Sequence, residues 1–219
     1  MRDSIEEIFK GCATPFLVGQ ILVQKREGAA FVLTHRDDAS LNQPQVYGDA
    51  EDAIGIAKYD DAGNYRPLKT APNLRHGWRL ELATVEKLRR ALDYFYPGRI
   101  AVFAAWKSGL LKTTALRETL NRQSGMYRVA ARISDPQIND LVANFCRSDS
   151  GCLRSILWKH DRNGGIASTK LPKEKFDPGY DQATAEPRSS PAATIPLLCQ
   201  EACNLLVAEC RKVVKGENT

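Results

Sequence analysis

The sequence predicts an α+β protein, a mixed sheet with covering helices followed by a small, cysteine-rich C-terminal domain. Three observations carry this. Strand-like and helix-like periodicities alternate over the first 135 residues, four of the six cysteines fall in two close pairs after residue 145, and apolar periodicity disappears between residues 163 and 191. We therefore expect an α/β domain over residues 1–135 and a second domain over 136–219 with a long loop at 163–191. A chain of 219 residues is long enough to bury such cores without disulfide staples.

Taken in order, residues 4–10 read as a short helix with Ser4 as cap and Glu7 at the capping-box position. Residues 16–23 and 29–34 read as strands joined by the polar, glycine-containing connection Gln24-Lys25-Arg26-Glu27-Gly28. The Asp/Asn/Gly/Pro-rich stretch 36–73 reads as loops with a short strand at 53–59. Residues 78–82 alternate like a strand, Thr84 caps a helix to Phe95, and Pro97-Gly98 stops it before an apolar strand at 99–106, a β-α-β pattern. A helix at 114–123, a strand at 127–133 and a helix opened by Ser134 and Pro136 follow. After the 163–191 loop, Leu205, Leu206, Val207, Val213 and Val214 stripe a final helix at 201–214.

Composition excludes several classes. Hydrophobic residues are 43%, charged residues 26% and the mean hydropathy is −0.37, values of a globular chain and not of a disordered or membrane-bundle one. No apolar run approaches the ~20 residues of a membrane span, and the acidic start Met1-Arg2-Asp3-Ser4-Ile5-Glu6-Glu7 is unlike a signal peptide. The expected location is cytoplasmic, with no membrane partner. The net charge of +5 is unevenly spread: residues 27–61 are net −6 and residues 75–132 net +8. The basic stretch suits either a solvated face or an anionic partner.

Six cysteines in a chain of this character point to metal or redox chemistry more than to a disulfide framework. Cys146, Cys152, Cys199 and Cys203 have the spacing C-x5-C-x46-C-x3-C, while Cys12 and Cys210 stand apart as expected core thiols. Cys199 and Cys203 are expected on the first turn of the last helix, whose positive end, with Arg147 and Arg154, would stabilise thiolates. Gly151, between the first pair, would let backbone N–H groups approach a bound group. Spacing alone leaves an iron–sulfur cluster, structural zinc and buried or redox thiols open, the five-residue gap being wide for zinc.

Three segments narrow the choice. Asp93-Tyr94-Phe95-Tyr96-Pro97-Gly98, Cys146-x5-Cys152-Leu153-Arg154-x2-Leu157-Trp158 and Ile195-Pro196-Leu197-Leu198-Cys199-x2-Ala202-Cys203-Asn204 resemble the appended domains of CbiX-type sirohydrochlorin chelatase-like proteins, from roughly Tyr65 onward. Those appendages are an α/β stabilising domain and a 4Fe-4S cluster-binding domain. The resemblance implies a [4Fe-4S] cluster held by Cys146, Cys152, Cys199 and Cys203. A CbiX-type chelatase domain is a two-lobed α/β unit with metal-inserting histidines, and a chain of this length with only His35, His76 and His160 has no room for it. The resemblance therefore implies the accessory portion, with a separate chelatase or other tetrapyrrole enzyme as partner.

Other residues offer weaker signals. His76, flanked by Arg75 and Arg79, suits an anionic or planar ligand or a plain surface turn. Arg147 and Arg154 are further candidate contacts for an anion, and His160 a candidate pocket residue or a histidine hydrogen-bonded near Asp161. No paired-carboxylate, Ser/His/Asp, HExxH or phosphate-loop arrangement occurs. Three classes remain. One is a redox or electron-transfer protein. The second is an accessory to tetrapyrrole metal insertion, holding an anionic macrocycle through Arg75, Arg79, Arg99 and Arg128. The alternative is a structural zinc protein that binds nucleic acid or another anion through its basic middle, ranked last because aromatics are sparse there.

Overall fold

The structure is a computed structural model that describes residues 2–11, 14–26, 30–38, 41–66, 74–146, 152, 155–161 and 193–217. Cys12, Arg147, Gly151, Arg154 and the expected loop at 163–191 lie outside the described residues. The chain divides into two compact units, one formed by residues up to Leu110 with 193–197, the other by 111–161 with 198–217.

The first unit is built on a six-stranded mixed sheet. Strands β1 (Phe16–Val18), β2 (Ile21–Lys25) and β3 (Phe31–His35) form an antiparallel meander, β5 (Trp78–Leu82) pairs antiparallel with β3, β4 (Gln45–Tyr47) lies parallel to β5, and β7 (Ala193–Ile195) lies parallel to β1. The order is β4-β5-β3-β2-β1-β7. The alternation expected at 78–82 is present: Trp78, Leu80 and Leu82 are buried while Arg79 and Glu81 are partly exposed. The run expected as one strand at 16–23 is two, because Gly19 takes the left-handed conformation (φ +57°) and turns the chain.

Four helices accompany the sheet. In α1 (Arg2–Gly11), Ile5 and Phe9 are buried one turn apart, and Phe9 stacks on Phe16 with ring centroids 6.0 Å apart. The helix already runs through Ser4, so the expected cap there lies inside it. In α3 (Val85–Phe95), Thr84 caps as expected, its hydroxyl accepting from the Lys87 N–H at 3.2 Å, and Leu88, Ala91, Leu92 and Phe95 face inward.

Two expected strands are helices. At α2 (Asp52–Lys58), Ala53, Ile56 and Ala57 are buried at i, i+3 and i+4, a helical stripe hidden in a short segment. At α4 (Arg99–Lys107), Ile100, Phe103 and Ala104 repeat that spacing inside an apolar run with two alanines. A run of this length fits either period, and here the stop at Pro97-Gly98 restarts a helix. Gly98 is left-handed (φ +69°), and its N–H is held by Asp93 Oδ1 at 2.8 Å. The β-α-β pattern is therefore β-α-α.

The second unit contains α5 (Leu116–Asn121), a 3₁₀ segment (Gly125–Arg132), α6 (Asp135–Leu141), which runs into a π-type turn (Val142–Cys146), the short parallel pair β6 (Ser155–Ile156) and β8 (Leu198–Cys199), and α7 (Asn204–Lys215). Its core joins Leu116, Leu120, Ala130, Ile133, Ile138, Val142, Trp158, Leu206, Val207 and Cys210. Leu116 to Ile133 thus pack with the last helix, which sets the division after Leu110 and not at the expected 135/136. The expected strand at 127–133 is the 3₁₀ segment. Instead of a neighbouring strand, the Arg117 guanidinium takes the carbonyls of Ala131 and Ile133 at 3.3 and 2.8 Å and pairs with Asp135. Ser134 and Gln137 form the capping box of α6, with Pro136 in the first turn as expected.

One contact fixes the first turn of the meander. The Gln20 N–H donates to the buried Tyr96 hydroxyl at 2.9 Å, and a Cβ on Gly19 would meet Tyr96 Oη at 2.7 Å, Tyr96 Cζ at 2.8 Å and Leu197 Cδ1 at 2.9 Å. Gly19→Ala should lower stability by more than the ~1–2 kcal/mol of a left-handed alanine. Tyr96→Phe should cost about 1–3 kcal/mol by leaving a buried N–H unpaired. In urea unfolding the double variant should lose less than the two single losses combined, because removing the hydroxyl relieves the closest clash.

Candidate metal centre

The second unit brings all four paired cysteines to one pocket. Cys146 ends the π-type turn after α6, Cys152 follows six residues later, Cys199 is the last residue of β8, and Cys203 is the N-cap of α7. All four line a single pocket, whose remaining wall is Phe145, Ile156, Trp158, Ala202 and Leu206. Each is partly buried, and none is in a disulfide. Cys199 and Cys203 do not share a helical turn as expected. The chain stays extended through Cys199 to pair with β6, and α7 begins only at Asn204, so the helix end serves Cys203 alone.

One donor suits soft, anionic sulfur. The Trp158 indole N–H donates to Cys199 Sγ at 3.3 Å, while the protonated thiol itself donates to the Glu201 carbonyl at 3.1 Å. Trp158 itself is buried. The pocket encloses about 350 Å³ of empty space, its opening included. Four thiols against an otherwise apolar wall are the donor set that iron–sulfur clusters and soft transition ions take, and not one for magnesium or calcium.

The other candidates separate. Cys210 is fully buried in the core of the second unit, and burial pushes its thiol up to about 12, the inert thiol expected. His160 is buried outside the cysteine pocket, with Nδ1 3.8 Å from Asp135 Oδ1. Arg75, His76 and Arg79 belong to the first unit, the cysteines to the second. Arg79 pairs with Glu81 at 2.6 Å, His76 Nδ1 lies 2.9 Å from Asp38 Oδ1, and Arg75 lines an open cleft with His76. Sequence reasoning missed the bond from Trp158 to a cysteine sulfur. Its signal was a tryptophan six residues after Cys152 in a segment otherwise poor in aromatics.

The basic stretch is partly neutralised within the fold. Lys87 lies 3.5 Å from Asp49 and Arg90 2.5 Å from Glu51, joining the net-positive and net-negative segments of the sequence. No helix among the described residues is long and apolar enough to cross a membrane.

Fold and pocket define a two-domain protein: an α+β domain with a mixed sheet, then a smaller domain that gathers four thiols in a set fit for an iron–sulfur cluster or a soft transition ion. Comparison with known families agrees. Residues 5–107 match the DR2241 stabilising domain and residues 108–212 match the 4Fe-4S iron-sulfur cluster binding domain, so the two parts of the chain are similar, in series, to these two domain families. The first match begins well before Tyr65. Among solved structures, the chain is similar to DR2241 from Deinococcus radiodurans, with a TM-score of 0.74 and 24% sequence identity over 99% of this chain. The matched part is 42% of that longer chain, which is described as a multi-domain protein with structural similarity to chelatases and two additional novel domains. No curated protein matches the sequence.

Exposure and thiol acidity make a test of the cysteine roles. In cluster-free, reduced protein at mildly alkaline pH, iodoacetamide should modify Cys146, Cys152, Cys199 and Cys203 and spare Cys210 until the protein is unfolded. Peptide mass mapping reads the pattern, and early labelling of Cys210 would contradict it.

Proposed function

We propose that this protein is a [4Fe-4S] accessory component of tetrapyrrole metal chelation, with Cys146, Cys152, Cys199 and Cys203 as cluster ligands and the chelatase supplied by a separate domain or partner. The observation that carries this reading is the meeting of two sequence-distant cysteine pairs on one apolar pocket, inside the segment that matches a cluster-binding domain. The chelatase link is supported by the description of DR2241 and by the resemblance in the cysteine and Asp93–Gly98 segments.

A bound cluster supplies one-electron chemistry. The thiolates of the four cysteines hold it, and the apolar wall limits water around it. The Trp158 N–H draws electron density from the Cys199 sulfur, which stabilises the reduced state. Positive groups such as Arg75 would receive the carboxylates of an anionic macrocycle.

Anaerobically purified protein should contain about four irons and four sulfides per chain, with a broad visible absorbance that bleaches with dithionite. One zinc and no colour would overturn the cluster. Serine at any one of the four cysteines, Cys146→Ser for example, should abolish the absorbance and expose the second unit to protease, because binding energy at a metal site is also folding energy. Cys210→Ser should keep its colour. Trp158→Phe should keep the cluster and lower its potential in a redox titration. Uroporphyrin, a polycarboxylate tetrapyrrole, should quench tryptophan fluorescence saturably in the loaded protein. Absence of binding by this probe and by sirohydrochlorin would overturn the tetrapyrrole part alone.

A further inference from the structure

The first unit carries a second donor cluster, independent of the cysteines. His35 ends β3, Asp38 closes the short 3₁₀ turn Arg36–Asp38 that follows, and His76 lies two residues before β5. Because β3 and β5 are antiparallel neighbours, with Thr34 opposite Arg79, the end of one strand and the approach to the other meet at the same edge of the sheet. One ligand atom from each of the three residues lies within 4.8 Å of the other two. We propose that His35, Asp38 and His76 form a binding site for a divalent first-row transition ion such as zinc or cobalt.

The chemistry of the three groups selects the ion. Two imidazoles and one carboxylate are a borderline donor set, suited to zinc, cobalt, nickel or iron(II), whereas magnesium and calcium want oxygen alone and copper(I) wants sulfur. Three protein ligands leave coordination positions for water or substrate, as in open metal sites. The exposed side supplies that access: His76 is half-exposed and lines a cleft of about 460 Å³ that also presents Asp60, Asp61 and Arg75.

The site is also built from within. Asp38 is 8% exposed; one carboxylate oxygen faces His76 Nδ1 at 2.9 Å and the other accepts the Gly77 N–H at 2.7 Å. That backbone bond orients the carboxylate in the manner of the outer partners that fix metal ligands. His35 is 1% exposed and its ring stands 3.9 Å from that of His76, centroid to centroid. The Asp37 N–H reaches His35 Nδ1 at 3.3 Å and the Asp37 carboxylate lies 3.5 Å from the same nitrogen, while Nε2 has no hydrogen-bond partner among the described residues. A buried imidazole nitrogen without a partner costs stability; in the tautomer whose Nδ1–H is turned to the Asp37 carboxylate, Nε2 is an acceptor that coordination would satisfy. Burial together with the neighbouring His76 lowers the His35 pKa to about 4, so the ring is neutral at physiological pH, as a ligand must be.

The experiment is a cobalt(II) titration of the full chain with its cysteine pocket occupied by cluster, so that the thiols do not compete. The expected result is one cobalt per chain with visible d–d bands and no thiolate-to-cobalt charge-transfer absorption, displaced by zinc. His76→Ala, at the exposed side of the site, should weaken binding by about tenfold or more, the range in which even supporting residues act. Asp38→Asn should do the same, and its similar size provides a second variant if His76→Ala folds poorly. Absence of stoichiometric cobalt in the parent chain, or binding unchanged in both variants, overturns the site. Charge-transfer bands would place the ion on sulfur and overturn it as well. Neither result bears on the cluster, whose iron and sulfide content is read separately.

Discussion

The two-residue pairing of Ser155–Ile156 with Leu198–Cys199 is the contact on which the second unit depends. It joins segments more than forty positions apart and extends through the Leu157 N–H to the Cys199 carbonyl at 2.9 Å. The entry to α5 is tied to the same seam, with Thr114 donating to Gln200, Leu116 to Lys159 and Arg117 to His160 at 2.7–3.0 Å. An isolated pairing this short would be marginal in water. Buried Trp158 makes it useful, since its ring fills the core and its N–H meets a cysteine sulfur. A ligand that bridged the cysteine pairs would lock the same seam from its other side, which couples metal binding to folding in this unit.

Elements with a clean period or an explicit cap were legible in the sequence. The Trp78–Leu82 alternation, the Thr84 cap and the Ser134/Gln137 box each state their local structure within a few residues, and each is present. The failures share a cause. Residues 53–59, 99–106 and 127–133 are short apolar or mixed runs that satisfy two periods equally, so packing partners decide them. Ile100 and Phe103 are buried in a helix that packs against α1 and α3, and Arg117, fourteen residues away, takes the Ala131 carbonyl that a neighbouring strand would have used.

The cysteine pocket was legible because thiols are few and their pairing in sequence is local. The helical geometry assigned to Cys199 was not, since the strand it belongs to exists only through Ser155–Ile156 far upstream. The histidine cluster was half legible. His76 stood out beside two arginines, but its partners lie some forty residues earlier, and only the antiparallel register of β3 and β5 joins them. The charge distribution was legible only as totals: part of the net-positive stretch answers part of the net-negative one in the pairs Lys87–Asp49 and Arg90–Glu51, a pairing that only the fold brings about. Such exposed pairs contribute about 0–1 kcal/mol each, so they organise the surface more than they stabilise it.

The two donor sets differ in the property that sorts metals. Affinity alone follows the same order at almost any site, so a protein separates ions by the softness and geometry of its ligands. Sulfur in the second unit and nitrogen with one oxygen in the first stand far apart on that scale. They also differ in what the fold asks of them. The cysteines come from segments linked by a minimal seam, where a bound group adds to stability, whereas His35 and Asp38 sit at the end of a central strand whose sheet and core are complete without an ion. Binding at the first should therefore be inseparable from folding, and binding at the second should exchange freely with the structure intact.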